Sequence, residues 1–284
     1  MLRLGSHLTA KVGGDAENLF EPTCQEEFVE LVGRLRRSGQ RFRLLGGGSN
    51  VIAGDGSFNS PVVWTRHLDG CEELSETRWR VEAGANLGRL CLRSARRGLS
   101  GLECCTGIPG TIGAAIRINA GGKYGTVAAV TRKVTLLTSD LEVVDREVID
   151  EDFQYRRTTF FDDIVLSAEL LFVRDAPASC RQRIKEVLVH KRTTQPLKYP
   201  SAGCVFRNPV GDSAGRLIDA AGLKGLRVGG AQVSELHANY LVNCDDASGD
   251  DFVKLIRAVQ ESVLQHSGIK LELEVDLWEA GSAN

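Results

Sequence analysis

Apolar residues recur at helical spacing early in the chain: Phe28, Leu31, Val32 and Leu35 fall three and four positions apart and predict an amphipathic helix over residues 26–37. Residues 41–45 then read as a short strand running into Gly46-Gly47-Gly48-Ser49-Asn50. Val51-Ile52-Ala53 is extended again, with a turn at Gly54-Asp55-Gly56. Leu87, Leu90, Cys91 and Ser94 mark a second helix that Gly98 ends through a positive φ. Residues 134–138 and 142–145 flank Ser139-Asp140-Leu141 as a β-hairpin, and residues 164–174 form a further strand. Asp175-Ala176-Pro177-Ala178-Ser179 reads as a linker, followed by a helical face of Ile184, Val187 and Leu188. Ser213 is an N-cap for a helix carrying Leu217, Ile218 and Ala221 and closed by Gly222. Phe252, Leu255, Ile256, Val259 and Val263 define the longest helix. Residues 271–278 alternate strictly, with Leu271, Leu273, Val275 and Leu277 on one face and Glu272, Glu274 and Asp276 on the other, turned to water. The pattern is that of an α+β chain with a boundary near residue 175.

At 284 residues the chain is long enough for two or three domains. A formal net charge of -2 gives no general attraction to nucleic acid or an anionic membrane, so an anionic ligand needs local basic groups or backbone N–H groups. The 8 cysteines include no Cys-x-x-Cys pair, and Met1-Leu2-Arg3-Leu4-Gly5 has no apolar core of signal-peptide length. Reduced, mostly buried thiols in a cytoplasmic protein are expected, with no metal site. No apolar run is long enough to span a bilayer.

Two stretches are too rich in small residues to build a core. Backbone N–H groups in Gly46-Gly47-Gly48-Ser49-Asn50 are free of side-chain bulk and suit phosphate oxygens, or else a tight turn between strands. The run lacks Gly-Lys-Ser/Thr, so it is no P-loop. Val51-Ile52-Ala53 follows where a dinucleotide-binding turn opens a helix. Gly107-Ile108-Pro109-Gly110-Thr111-Ile112-Gly113-Ala114, continuing to Asn119-Ala120-Gly121-Gly122, suits backbone laid against a flat ligand, or a close-packed helix–sheet contact. Together the two loops suggest a ligand with two phosphates and a planar ring system. Cys204, Arg207 and Asn208 lie in a segment with turn residues on both sides, Pro200 to Pro209. Arg156 follows Tyr155 where it can clamp a carboxylate. Taken singly, Cys204 reads as a small buried hydrophobe and the arginines as solvated.

Together and in this order, these segments resemble the UDP-N-acetylenolpyruvoylglucosamine reductase family. The resemblance starts at Thr9-Ala10-Lys11-Val12-Gly13-Gly14. It runs through Leu45 and the first glycine loop, Gly98-Leu99-Ser100-Gly101-Leu102-Glu103, the second glycine run and Tyr155-Arg156. It continues in residues 200–209, Ala214-Gly215-Arg216-Leu217-Ile218-Asp219, Gly229-Gly230-Ala231-Gln232-Val233-Ser234 and Glu274-Val275, and so covers nearly the whole chain.

The resemblance implies an α+β fold: a two-lobed FAD-binding unit of the vanillyl-alcohol-oxidase type (1–65 and 66–175) followed by an α+β substrate-binding domain (176–284). It implies non-covalent FAD lined by Gly46, Gly47, Gly48, Ser49, Asn50, Gly107, Ile108, Pro109, Gly110, Thr111, Gly113, Ala114, Asn119 and Ala120. NADPH is the implied reductant and the enolpyruvyl UDP-sugar the implied substrate, in peptidoglycan precursor synthesis. Arg156 matches the family arginine that stabilises charge on the substrate carboxylate, Glu274 the glutamate across the enol, and Cys204 the proton donor. Arg207, Asn208 and Gln232 are the expected substrate-binding residues, and a monomer without nucleic-acid or membrane partners is expected. Three features depart from the commonest pattern. Cys204 stands where many relatives have serine, the 119–125 segment is one residue longer, and the tyrosine-bearing loop of one subgroup has no counterpart. The alternatives are another FAD-dependent oxidase or dehydrogenase of the same cofactor fold, or a flavin-binding protein without chemistry.

Overall fold

The structure, a computed structural model, describes residues 1–279. The described residues pack into two compact units, each assembled from separate stretches: residues 20–47 with 62–190, and residues 1–19 with 48–61 and 191–279.

In the unit that contains residues 62–190, helix α1 (Gln25–Arg37) buries Phe28, Leu31, Val32 and Leu35, as its periodicity predicts. Glu26 and Glu27 in its first turn and Arg34, Arg36 and Arg37 in its last complement the helix dipole. A five-stranded antiparallel sheet runs in the order Val143–Glu147, Thr131–Leu137, Ile164–Leu171, Arg78–Glu82 and Cys71–Glu73. Helix α1 covers one face; α2 (Leu87–Arg96) and α3 (Ile112–Arg117) share a core with the other. An irregularity in the Thr131–Leu137 pairing, where Thr135 faces Ser167 but Leu136 faces Val165, shifts the side-chain alternation. Ile164 and Leu166 therefore pack with α1, while Ala168 and Leu170 pack with α2 and α3. Asn86 caps α2 through Arg89 N–H at 2.9 Å, and Gly98 follows its end with φ 68°.

The segment read as a linker opens a helix instead. Helix α4 spans Pro177–Thr194. Proline is well placed there because the first helical N–H has no partner within a helix and φ is preset. Within this unit Arg183 of α4 donates to Glu103 at 2.8 Å and to Asp175 at 2.6 Å, while Cys180 and Ile184 pack on Ala95.

The other unit holds a four-stranded antiparallel sheet in the order Ser201–Cys204, Tyr240–Asn243, Ala231–Val233 and Arg227–Val228. Helix α5 (Ala214–Ala220) is capped by Ser213, whose Oγ accepts from Arg216 N–H at 3.3 Å. Helix α6 (Gly249–Ser267) starts at a reciprocal Ser248–Asp251 cap and ends at Gly268, φ 70°. Its Phe252, Leu255, Ile256, Val259 and Val263 form one core with Val205, Phe206, Leu217, Ile218, Val233 and Leu241.

The closing alternation is only partly strand. Asp276–Trp278 pairs in parallel with Val51–Ala53, but Glu274 and Val275 form a bend. Both their N–H groups turn to Val205 O, at 2.8 and 3.4 Å, which breaks the two-residue repeat. Glu272 and Asp276 remain exposed, whereas Glu274 is half-buried.

No cysteine among the described residues is in a disulfide, but only Cys91, Cys105 and Cys180 are buried, fewer than expected. Among the described residues no helix is long and apolar enough to cross a membrane, and no cluster suits a metal ion.

Candidate active site

The two small-residue loops are packed against the chain itself, which settles part of why they are small. A Cβ on Gly47 would stand 2.5 Å from Gly110 Cα, and one on Gly46 would stand 2.9 Å from Thr111 Oγ1. Gly113 donates to Ala83 O at 2.9 Å, and a Cβ there would meet Ala83 Cβ at 2.6 Å. Gly48 has φ 65°, and a Cβ there would lie 2.8 Å from His7 O. The close-packing reading left open by the sequence is therefore present. It coexists with ligand-facing features: the N–H groups of Gly46, Gly47 and Gly48 donate to no acceptor among the described residues. Gly107, Pro109 and Ala114 are exposed, Ile108 is half-buried and Thr111 is buried.

Asn119 carries an unpaired acceptor. Its backbone is left-handed, φ 44°, and its Nδ2 donates to Gln154 O at 3.1 Å. Its Oδ1 is buried without a partner among the described residues. An orphaned amide oxygen in a buried site is costly unless a ligand donor meets it. Ala120, next in the chain, is buried and donates its N–H to Ala115 O at 2.7 Å.

Arg156 sits at the tip of a minimal hairpin, Phe153–Gln154 with Arg157–Thr158, as the second of two turn residues. Its φ of 55° is unusual for a long side chain and marks a turn that the surrounding pairs enforce. Its Nη1 donates to Gly121 O at 3.2 Å, and its guanidinium lies 5.5 Å from the Tyr155 ring centroid.

Cys204 and Glu274 are brought together in the other unit. Cys204 ends strand Ser201–Cys204 opposite Tyr240, and Glu274 N–H donates to the carbonyl of Val205, the residue after Cys204. Asn50 fixes the same bend: its Nδ2 donates to Glu274 O at 3.0 Å, and its own carbonyl accepts from Asp276 N–H at 2.7 Å. That side chain, expected at the cofactor, positions Glu274.

The sequence did not single out Asn239. Buried, it accepts from Phe206 N–H at 2.9 Å and donates to Phe206 O at 2.8 Å, while its carbonyl accepts from Val205 N–H at 2.9 Å. An asparagine in an otherwise apolar run, Ala238 to Val242, was the available signal. Of the expected substrate residues, Arg207 has a buried Nε without a partner among the described residues. Asn208 Oδ1 accepts from Ala214 N–H at 3.0 Å, and Gln232 bridges Gly225 O at 3.2 Å and Cys244 Sγ at 3.2 Å. Both side chains have structural partners.

Residues 16–146 match the sequence model described as "FAD binding domain". With the α+β units above, this defines the class as a flavin-dependent oxidoreductase. Residues 195–278 match the model for the C-terminal domain of UDP-N-acetylenolpyruvoylglucosamine reductase. Curated relatives under that reductase name include one from Synechococcus sp. (strain JA-3-3Ab), 41% identical over 271 residues, spanning 94% of this chain and 86% of the relative. Another, from Geobacter sulfurreducens, is 36% identical over 276 residues, spanning 97% and 92%. The crystal structure of the reductase from Thermus caldophilus superposes with a TM-score of 0.82 at 35% identity, covering 98% of this chain and 97% of that one. The chain belongs to the UDP-N-acetylenolpyruvoylglucosamine reductase family.

The residues present fit FAD. Within one unit, the Gly46 and Gly47 N–H groups have no acceptor among the described residues and suit phosphate oxygens, and Asn119 Oδ1, likewise without a partner there, suits a ring N–H.

Proposed function

We propose that this protein reduces the enolpyruvyl group of UDP-N-acetylglucosamine enolpyruvate with NADPH, giving UDP-N-acetylmuramate for peptidoglycan precursors. The observation that carries the reading is the pairing of Cys204 with Glu274 through Val205, in a chain of this family. When bound, FAD supplies hydride transfer between the nicotinamide and the enolpyruvyl double bond.

The chain's own residues supply the rest. Cys204 Sγ holds the proton for the carbon beside the substrate carboxylate, and its partly exposed position at a strand end leaves the thiol accessible. Glu274 faces that carbon's developing charge, its backbone fixed from two sides by Val205 and Asn50. Arg156 offers a guanidinium to the carboxylate, where charge grows as the double bond is reduced. Arg207 is the anchor for the UDP phosphates, consistent with its unpartnered Nε. Asn208 and Gln232 line that region through their held orientations. Residues 1–65 and 66–175 serve the cofactor and residues 176–284 the substrate. The enzyme works as a monomer in the cytoplasm, where NADPH and UDP-sugars are available, without nucleic-acid or membrane partners.

The test is direct. Purified protein should be yellow, bleach with NADPH and recolour when the enolpyruvyl UDP-sugar is added. Protein that takes up no flavin on reconstitution, or that bleaches and is not recoloured by the sugar, overturns the reading.

A further inference from the structure

Two adjacent cysteines lie just ahead of the second glycine loop and have no part in the chemistry above. Cys104 and Cys105 close the 3-10 turn Glu103–Cys105, with their Sγ atoms 3.7 Å apart. Cys104 is half-exposed and Cys105 is buried. Their thiols hold carbonyls on both sides of the Arg156 support. Cys104 Sγ lies 3.6 Å from both Gly101 O and Thr126 O, and Cys105 Sγ lies 3.7 Å from both Ala120 O and Cys104 Sγ, so each single S–H is shared between neighbouring acceptors. Thr126 pairs with Gly121, whose carbonyl holds Arg156, and Ile108 at the head of the glycine loop donates to Cys105 O at 3.0 Å.

We infer that Cys104 and Cys105 form a dithiol modification site, which a low-molecular-weight disulfide converts reversibly into a ring disulfide that loosens the Arg156 support and the glycine loop. The effect on turnover rests on the function proposed above; the modification itself does not.

Cys104 thiolate attacks one sulfur of the small disulfide and releases one thiolate. Cys105, deprotonated in turn, attacks Cys104 Sγ and releases the second. One S–S bond breaks and one forms, two protein thiols are oxidised, and the small disulfide is reduced to two thiols. A hydrogen bond from Cys105 holds the Cys104 thiol below its usual pKa, which favours it as the first nucleophile. Burial pushes neighbouring Cys91 up to about 12, so it does not compete.

Geometry makes the product labile. Adjacent residues have Cα atoms about 3.8 Å apart, short of the roughly 4.4–6.8 Å that a relaxed disulfide spans. Such a strained bond is readily reduced, which suits a reversible modification and not a structural staple. Ring closure must also bring the sulfurs from 3.7 Å to about 2 Å by turning the peptide between them. That peptide carries the Cys105 N–H to Leu102 O bond at 2.9 Å and adjoins the Ile108 bond to Cys105 O. Both thiol donors to Ala120 and Thr126 are lost in the same step.

The experiment treats the flavin-loaded protein with glutathione disulfide, then maps peptides by mass and follows flavin reoxidation by the UDP-sugar. The expected result is a peptide bearing Cys104 and Cys105 that is lighter by about 2 Da, restored by dithiothreitol. Reoxidation slows about tenfold or more and recovers on reduction, in keeping with the cost of displacing a positioned group. Cys104→Ser, with untreated activity unchanged, should resist the loss, and Cys105→Ser should stop at the mixed disulfide on Cys104. A wild-type pair that stays as two thiols, or stays as a mixed disulfide without ring closure, overturns the site. Activity loss that persists in Cys104→Ser overturns its link to turnover. The peptide mass is read whether or not the protein reduces the sugar, so failure of the proposed function and failure of this site give different results.

Discussion

The segment around Cys204 and the hairpin around Arg156 are held by opposite means. From Cys204 to Phe206 every residue is tied: Cys204 pairs with Tyr240, Val205 bonds both Asn239 and Glu274, and Phe206 is clasped by the Asn239 side chain. Arg156 instead rides a two-pair hairpin in a left-handed conformation, with Nη1 on Gly121 O, itself in another two-pair hairpin. The difference follows from the proposed roles. A proton donor must sit within hydrogen-bond reach, about 2.6–3.2 Å, and a small error ends the transfer. A charge that stabilises another charge acts through a Coulomb energy that falls only as the inverse of distance. A mesh suits the first; a strained turn suffices for the second.

Removing the proton donor should therefore have the largest effect. Cys204→Ala is expected to leave flavin reduction by NADPH intact and slow reoxidation by the UDP-sugar by roughly 10²–10⁴-fold, measured by stopped flow. Cys204→Ser, which keeps a transferable proton at the same place, should remain active. Wild-type reoxidation in Cys204→Ala would remove the residue from the mechanism.

Next in size, Arg156→Ala should slow reoxidation by about 10²–10³-fold with flavin reduction unchanged. Equal damage to both half-reactions would show that the hairpin serves the fold and not the substrate carboxylate.

A smaller effect should come from Asn239→Ala, which tests the mesh without touching substrate. It strips partners from the buried N–H and C=O of Phe206. A cost of about 1–3 kcal/mol for each group left unsatisfied should appear as a lower urea midpoint. Reoxidation should slow more than reduction. A midpoint equal to wild type would show that the clasp is dispensable.

The smallest expected effect concerns reactivity near the Arg156 support. As pH rises from neutral, a thiol alkylating agent should label Cys104 before Cys91. The Cys105 hydrogen bond lowers the first thiol's pKa, and burial raises the second to about 12. Mass mapping of labelled peptides over a pH series reads this; Cys91 labelled first would contradict the assignment.

Local rules carried far in this chain. The apolar faces of α1, α2 and α6, the Ser213 cap, the Gly98 stop and the 131–147 hairpin were legible because each depends on residues a few positions apart. The ordered set of motifs also carried the family, since each piece keeps its place along the chain. Other features needed distant partners. Asp175 to Ser179 has linker composition, yet α4 starts at Pro177, and Arg183 of that helix reaches back to Glu103. The alternation over residues 271–278 fails at Glu274 because Val205 offers its carbonyl there, a partner some 70 positions away.

What the sequence determined by itself was the α+β class, most of the α-helices and the ordered motifs that carry the family, because spacing and residue type act locally. Only the tertiary structure decided that Gly46 and Gly47 are small in order to meet Thr111 and Gly110, and that Asn50 steadies Glu274. It alone decided that Asn239 clasps Phe206 and that Cys104 and Cys105 hold the carbonyls around Gly121. Those are contacts between backbones far apart in the chain, and no pattern of neighbouring residues encodes which two will meet.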